Sequence, residues 1–296
     1  MNETGFYGDD WLGIEWSPWL SLARADGDLG TISSDPGLYR VRHQERDGLE
    51  YIGETGRSTR GRVGSLARGT YAEEMPYRDP HTAAPCLWAV HDRYGPEFEV
   101  SYAVPSEAKD KQERKAIEAA LIAVARREMG ESPTANFGRI IDGYKQSSYS
   151  KDEIVGGPLS EDETESNTEN GRGPVPWENV NEVTGSNWMG LEWSEPYFLK
   201  NRLAVDPPDN GLYRIWYGSN SPPLAYIGES SNISSRLYNH EKTFGGDALF
   251  SYVNRPELDA AHKRQEIETD LIGVHYLENG EAPIAQFGYE EQLQEI

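Results

Sequence analysis

The feature that most limits what this chain can fold into is that much of it is written twice. Trp11-Leu-Gly-Ile-Glu-Trp-Ser17 returns as Trp188-Met-Gly-Leu-Glu-Trp-Ser194, an offset of 177, and Gly37-Leu-Tyr39 returns as Gly211-Leu-Tyr213, an offset of 174. Tyr51-Ile-Gly53 returns as Tyr226-Ile-Gly228. Farther on, Glu118-Ala-Ala-Leu-Ile122 matches Glu268-Thr-Asp-Leu-Ile272, and Phe137-Gly138 matches Phe287-Gly288, both at an offset of 150. Self-similarity of this kind sets domain layout ahead of local propensity. With 296 residues, about twice what one domain commonly uses, the expectation is two similar units, residues 1–145 and 177–296.

The fall in offset by about 24 places an insert in the first copy, within residues 69–97. Its proline-rich, polar and aromatic stretch from Met75 through His81 to Trp88 reads as a structured surface loop. Between the copies, residues 146–176 read as an acidic linker. Lys151 to Pro176 holds seven acidic residues and no aromatic one, too little apolar area to offset chain entropy, so flexibility is expected there.

Within one copy, Leu38–Arg42 and Leu49–Gly53 are rich in β-formers and flank a polar turn, which predicts a hairpin. Symmetric closure about position 45, and about 219.5 in the second copy, would set Tyr39 opposite Tyr51 and Tyr213 opposite Tyr226. Ser58 or Thr59, and Asn232, are candidate caps for helices running to about Ala67 and His240. A third strand over Phe98–Val104 precedes a helix from Ser106 to about Met129, whose Ala116, Ala120, Ala123 and Val124 recur at helical spacing. The fold class expected is α+β, each unit a small, mainly antiparallel three-stranded sheet packed with helices. The tryptophan prefixes read as hydrophobic anchors.

Charge narrows the partners less than it first suggests. Fifty acidic residues face 28 basic ones, 8 Lys and 20 Arg, for a formal net charge of -22. This fits either a surface adapted to concentrated salt or an ordinary acidic one; the halophilic reading is the expectation taken. In salt near 1 M the Debye length is about 3 Å, and the counterion release that favours basic DNA-binding proteins is mostly lost, so net charge does not veto a nucleic-acid partner. A single cysteine, Cys86, leaves no internal disulfide and no cysteine-based zinc cluster, which fits a cytoplasmic location. The longest apolar run, Ala119–Ala125, is far short of the roughly 20 residues of a bilayer span, and no membrane association is expected.

The ordered set of GLY, a hairpin gap, YIG, an arginine about ten residues later and a helix bearing Glu-x-x-Leu-Ile resembles the GIY-YIG nuclease family, over roughly Pro36–Gly138 and again over Asn210–Gly288. The resemblance implies a one-metal phosphodiesterase acting on DNA. Its tyrosines would be Tyr39 and Tyr51, and Tyr213 and Tyr226. Its phosphate arginine would be Arg236 in the second copy and Arg62 in the first, with Arg60 as a rival. The carboxylate holding Mg²⁺ or Mn²⁺ would be Glu118 or Glu268. The family's histidine one turn beyond the arginine falls at His240, whereas the first copy has Leu66 there and could draw on His81 of the insert. Its asparagine falls at Asn136, with Gln286 in the second copy. Glu54 and Glu229 stand after YIG where many relatives place lysine.

The residue types suit the reaction. In-line attack on a phosphodiester needs an activated water, a cation on the oxygens that gain charge, and a fixed donor such as a guanidinium. Arginine supplies a bidentate, always-charged clamp. Mg²⁺ suits one carboxylate plus waters and substrate phosphate. A phenol near pKa 10 needs neighbouring cations to act as a base. Two functions follow as expectations: a metal-dependent DNA endonuclease acting as a monomer and internal pseudo-dimer, or a nucleic-acid-binding or scaffold protein in which one site, the second before the first, or both are silent.

Overall fold

The computed structural model describes residues 5–23, 28–165, 171–218 and 224–288. By its contacts the chain divides into two units, Met1–Arg114 with Glu128–Gly171, and Lys115–Arg127 with Arg172–Ile296. Both are α+β with antiparallel sheets.

In the first unit the elements are β1 (Leu20–Ser21), β2 (Gly37–His43), β3 (Tyr51–Thr55), α1 (Thr59–Thr70), α2 (Ala84–Tyr94), β4 (Phe98–Ala103) and the ends of α3 (Lys111–Met129). The strands run in the order β1-β4-β2-β3, every pair antiparallel. The sheet therefore has four strands rather than the three expected. The additional one, β1, comes from the tryptophan prefix and is two residues long, too short for an alternating pattern to show in sequence. Ser58 caps α1 by accepting the Gly61 N–H at 3.1 Å, as the sequence predicts. The helix expected from Ser106 is broken: Ser106–Lys109 forms a separate 3₁₀ turn, and Asp110 Oδ1 then caps α3 through the N–H groups of Gln112 and Glu113.

Alternation along β2 sends Tyr39 and Val41 to one face, where they meet Val63, Leu66 and Ala67 of α1 and Cys86, Leu87 and Val90 of α2. The insert is thus not a surface loop. Half of it is a helix that completes the core, because Cys86, Leu87 and Val90 recur on one helical face. On the opposite face lies Arg40, fully buried, with its guanidinium 4.3 Å from the ring centre of Trp16 and 4.8 Å from that of Trp19, and donating to the carbonyls of Phe6 and Gly8. The prefix is the packing element expected of it: its aromatic faces enclose the arginine of Gly-Leu-Tyr-Arg.

The stretch read as a linker is tied down wherever it is described. Tyr144–Lys145 (β5) pairs with Gly157–Pro158 (β6), Lys145 Nζ meets Glu163 at 3.2 Å, and the Gln146 N–H donates to Glu165. Apolar area is not what holds this segment: its acidic side chains accept from a backbone N–H and from lysine. Residues 166–170 lie outside the described residues.

The second unit repeats the sheet: β7 (Tyr197–Phe198), β8 (Gly211–Trp216), β9 (Tyr226–Ser230) and β10 (Leu249–Asn254) in the order β7-β10-β8-β9, with α4 (Ile233–Phe244) and α5 (Ala261–Asn279). Asn232 caps α4 through the Ser235 N–H. Arg214 is the counterpart of Arg40, 4.1 Å from the ring centre of Trp193 and donating to Val183 and Gly185 carbonyls. The α3 segment that belongs here packs on α5: Arg126 is fully buried and donates to both Asp270 oxygens, at 2.7 and 3.2 Å. The turn predicted between β8 and β9 lies mostly outside the described residues. Among the described residues no helix is long and apolar enough to cross a membrane.

Candidate active site

In both hairpins the register differs from the symmetric one by two residues. Tyr39 faces Gly53 and Val41 faces Tyr51; Tyr213 faces Gly228 and Ile215 faces Tyr226. The tyrosines are diagonal neighbours, with ring centres 5.9 Å apart in the first unit and 6.0 Å in the second. The glycine of YIG explains the slip. A Cβ on Gly53 would lie 2.5 Å from Tyr51 Cε1 and 2.8 Å from the Tyr39 oxygen, and one on Gly228 would lie 2.5 Å from the Tyr213 oxygen. Both rings lean over a residue that must have no side chain, so the two short phrases are one device.

Onto each inner phenol comes an imidazole, by a different route. In the second unit His240, one turn after Arg236 on α4, sets Nε2 3.0 Å from the Tyr213 oxygen. In the first unit His81, from the insert just before α2, sets Nε2 2.8 Å from the Tyr39 oxygen. His81 Nδ1 accepts the Ala83 N–H at 3.3 Å, so in the neutral ring the proton is on Nε2, which donates to Tyr39. Burial, with the Arg62 charge adding, pushes His81 down to about 3; burial, with Arg236 adding, pushes His240 down to about 4. Both rings are neutral near pH 7.

Arg62 donates from Nη1 to the Pro80 carbonyl at 2.6 Å, which holds the insert against α1 beside His81. Arg60 instead donates to the Ile32 carbonyl at 2.7 Å. Of the two arginines weighed in sequence, Arg62 is the one that neighbours the imidazole. In the second unit the positive charge of Arg236 acts to lower the pKa of Tyr213, Tyr226, Glu268 and His240 alike. Burial outweighs it at both phenols, whose pKa values are raised above the ordinary one.

Glu268 accepts the Glu229 N–H on Oε1 at 3.0 Å and lines a cavity of about 520 Å³ together with Tyr226 and His240. Desolvation, with the nearby Glu229 charge adding, pushes Glu268 up to about 8. Glu118 lies on the segment of α3 grouped with this unit, and lines the same cavity with Lys115. Asn136 bonds the Ile52 backbone twice, its oxygen accepting from N–H at 3.0 Å and its nitrogen donating to the carbonyl at 2.9 Å. Gln286, despite its longer side chain, accepts the Ile227 N–H at 3.1 Å. Both amides pin the YIG strand, and Gln286 also lines the cavity.

Glu54 and Glu229 are engaged by arginines that the sequence reading passed over. Arg114 Nε reaches Glu54 at 2.5 Å and Arg264 Nε reaches Glu229 at 2.7 Å, and each also donates to carbonyls just before its helix. The signal was present, since Arg114 and Arg264 recur at the offset of 150 shared by the flanking helix.

A scan against protein-family models gives no match to this chain, and no curated protein or solved structure is significantly similar to it.

A divalent cation can be tested against the donor set. Among the described residues no three His, Cys, Asp or Glu side chains converge into a cage. The cavity of the second unit is open to water and lined by two carboxylates, Glu118 and Glu268, and Glu268 has no cationic side chain bonded to it among the described residues; one such carboxylate suffices for Mg²⁺ when waters and a phosphate supply the rest.

Proposed function

We propose that this chain is a metal-dependent endonuclease that hydrolyses phosphodiester bonds in DNA, with one GIY-YIG-like site in each unit. The observation that carries the reading is the tyrosine pair with a neutral imidazole on the inner phenol, built twice from different parts of the chain. A packing role would not require the imidazole to be rebuilt from an insert once Leu66 replaced it.

In the second unit the attacking water gives its proton to the Tyr213 oxygen as that phenol passes its own to His240 Nε2, so no strongly charged phenolate forms in a buried site. Tyr226 orders the water from the neighbouring strand. Arg236 receives charge that grows on the nonbridging oxygens. In the first unit the Nε2–H of His81 already points at Tyr39, so this histidine stabilises negative charge on the phenol oxygen, and Arg62 serves the phosphate. Glu268, and Glu118 by the resemblance, would hold a divalent cation that supplies Lewis-acid stabilisation of the phosphate.

Nicking of supercoiled plasmid with Mg²⁺ or Mn²⁺, at low and molar salt, tests this with the wild type, Glu118→Ala, Glu268→Ala and the double variant. By the resemblance Glu118 serves the first site and Glu268 the second, so each single variant is expected to keep one nicking activity and the double variant none; loss of all nicking in Glu118→Ala alone would tie both carboxylates to the cavity they line. No metal-dependent product from the wild type at any salt would sink the enzymatic reading and favour a binding or scaffold role.

A further inference from the structure

The chain carries 50 acidic and 28 basic residues, so a surface where basic side chains gather with no free carboxylate stands out from its average charge. Arg42, Arg114, Lys145, Lys200 and Arg264 each have an acidic partner. The first unit contains such a basic surface in a cleft of about 890 Å³. Arg57, Arg62, Arg68 and Lys111 line it, and its one acidic lining residue, Glu54, is already bound by Arg114. Arg57, Arg68 and Lys111 are exposed and form no ion pair among the described residues. Gly61, Ser65 and Arg68 follow one another at helical spacing along α1, so two small residues leave the path from Arg62 to Arg68 open. The second unit lacks this arrangement. The residue before its cap is Ser231, Lys111 is replaced by Ala261, and Lys242, in the place of Arg68, lies 4.0 Å from the ring centre of Tyr238.

Four cations around one cleft repel one another, and an anionic ligand among them relieves that repulsion. We propose that the cleft is a track for the sugar-phosphate backbone of a DNA strand, in which Arg57, Arg68 and Lys111 take phosphates flanking the one that Arg62 serves. The nature of the polyanion rests on the nuclease reading above; the presence of an anion track does not. Net charge repels DNA at long range, but beyond about 10 Å that repulsion is screened in 0.1 M salt, and the local cations decide binding.

Anisotropy of a short labelled DNA duplex, measured in EDTA across a salt series with the full-length protein, tests the track apart from catalysis. The triple variant Arg57→Gln, Arg68→Gln, Lys111→Gln is expected to bind at least tenfold more weakly at about 0.1 M salt. Its log K against log salt slope should be shallower by about 2 to 3, because each lost phosphate contact removes ~0.9. Lys145→Gln, an exposed lysine elsewhere, should change neither. A triple variant with wild-type affinity and slope overturns the proposal, as does a wild type that binds no duplex at any salt. Nicking of plasmid with Mg²⁺ is scored separately on the same preparations. Loss of affinity in the triple variant of a protein that never nicks upholds the track and fails the nuclease reading, whereas nicking with unchanged binding does the reverse.

Discussion

The two units deliver an imidazole to the same phenol from places that do not correspond in sequence, His240 from α4 and His81 from the insert that the second copy lacks. The difference shows that what is held fixed is an atom beside an atom, with the chain free to reach it by any path. It also shows that the two routes are not chemically equivalent. A helix residue such as His240 has its own backbone N–H committed to the helix, and its ring nitrogen away from Tyr213 has no described protein donor. His81 sits where the chain turns into α2, and the Ala83 N–H fixes which ring nitrogen carries the proton. One unit thus holds an imidazole that can accept a proton from its tyrosine, and the other holds one set to donate.

The sharpest way to break that comparison is to remove each imidazole where only its own unit can act. In a Glu268→Ala background His81→Ala, and in a Glu118→Ala background His240→Ala, should each lower the nicking rate by roughly 10²–10⁴, the reach of a lost donor to developing negative charge for His81 and of a lost proton-transfer group for His240. Glutamine then separates the roles, since its amide can donate a hydrogen bond but cannot take up a proton. His81→Gln should keep a measurable part of the first unit's rate, while His240→Gln should fall to the level of alanine. Equal behaviour of the two glutamine variants would show that the tautomer difference has no catalytic consequence.

A smaller effect comes from Glu268. An unfolded glutamate loses its proton near 4.3, whereas in the folded second unit enclosure holds the value near 8. Between these limits the folded form binds more protons than the unfolded one, so stability falls as pH rises. His81 and His240, both pushed down, act with the opposite sign and lower stability only as pH drops below about 6.5. Unfolding free energies from denaturant titrations in EDTA should therefore decline by about 1–2 kcal/mol between roughly pH 6 and 8, discounted for water in the cavity, and level off above about 8. Glu268→Gln should abolish that decline, and Mg²⁺ should offset it in the wild type but not in the variant. A wild-type profile flat to alkaline pH would place the proton elsewhere.

Much of this was legible because it is local. Caps at Ser58 and Asn232, the hairpins and the strand before α3 follow from patterns a few residues long. The register was not, because symmetric closure counts residues and ignores volume, and it is the missing Cβ of Gly53 and Gly228 that lets a ring cross the opposite strand. The edge strands β1 and β7 are too short to carry a period. His81 could be named only as a possible substitute for the missing helix histidine, since it lies 42 residues from Tyr39 and no spacing rule links an insert to the strand it reaches. Arg114 and Arg264 were missed for another reason: the repeat showed them, but a salt bridge after YIG has meaning only once Glu54 and Glu229 are known to face the helix start.

The smallest expected difference lies in the caps, and it bears on how each unit holds its arginine. Ser58→Ala removes the bond to the Gly61 N–H, and Asn232→Ala the bond to the Ser235 N–H. Each loss costs about 1 kcal/mol in general, a shift of roughly 2–4 °C in Tm. The two helices are not equally able to bear it. The first two turns of α1 contain Gly61 and Gly64, each about 1 kcal/mol poorer than alanine in a helix, whereas α4 has Ser235 and Tyr238 at those places. Without its cap α1 frays toward Arg62, so Ser58→Ala should slow nicking in the Glu268→Ala background more than Asn232→Ala slows it in the Glu118→Ala background. A larger effect from Asn232→Ala would mean that Arg62 is held by its bond to the Pro80 carbonyl and not by the helix that carries it.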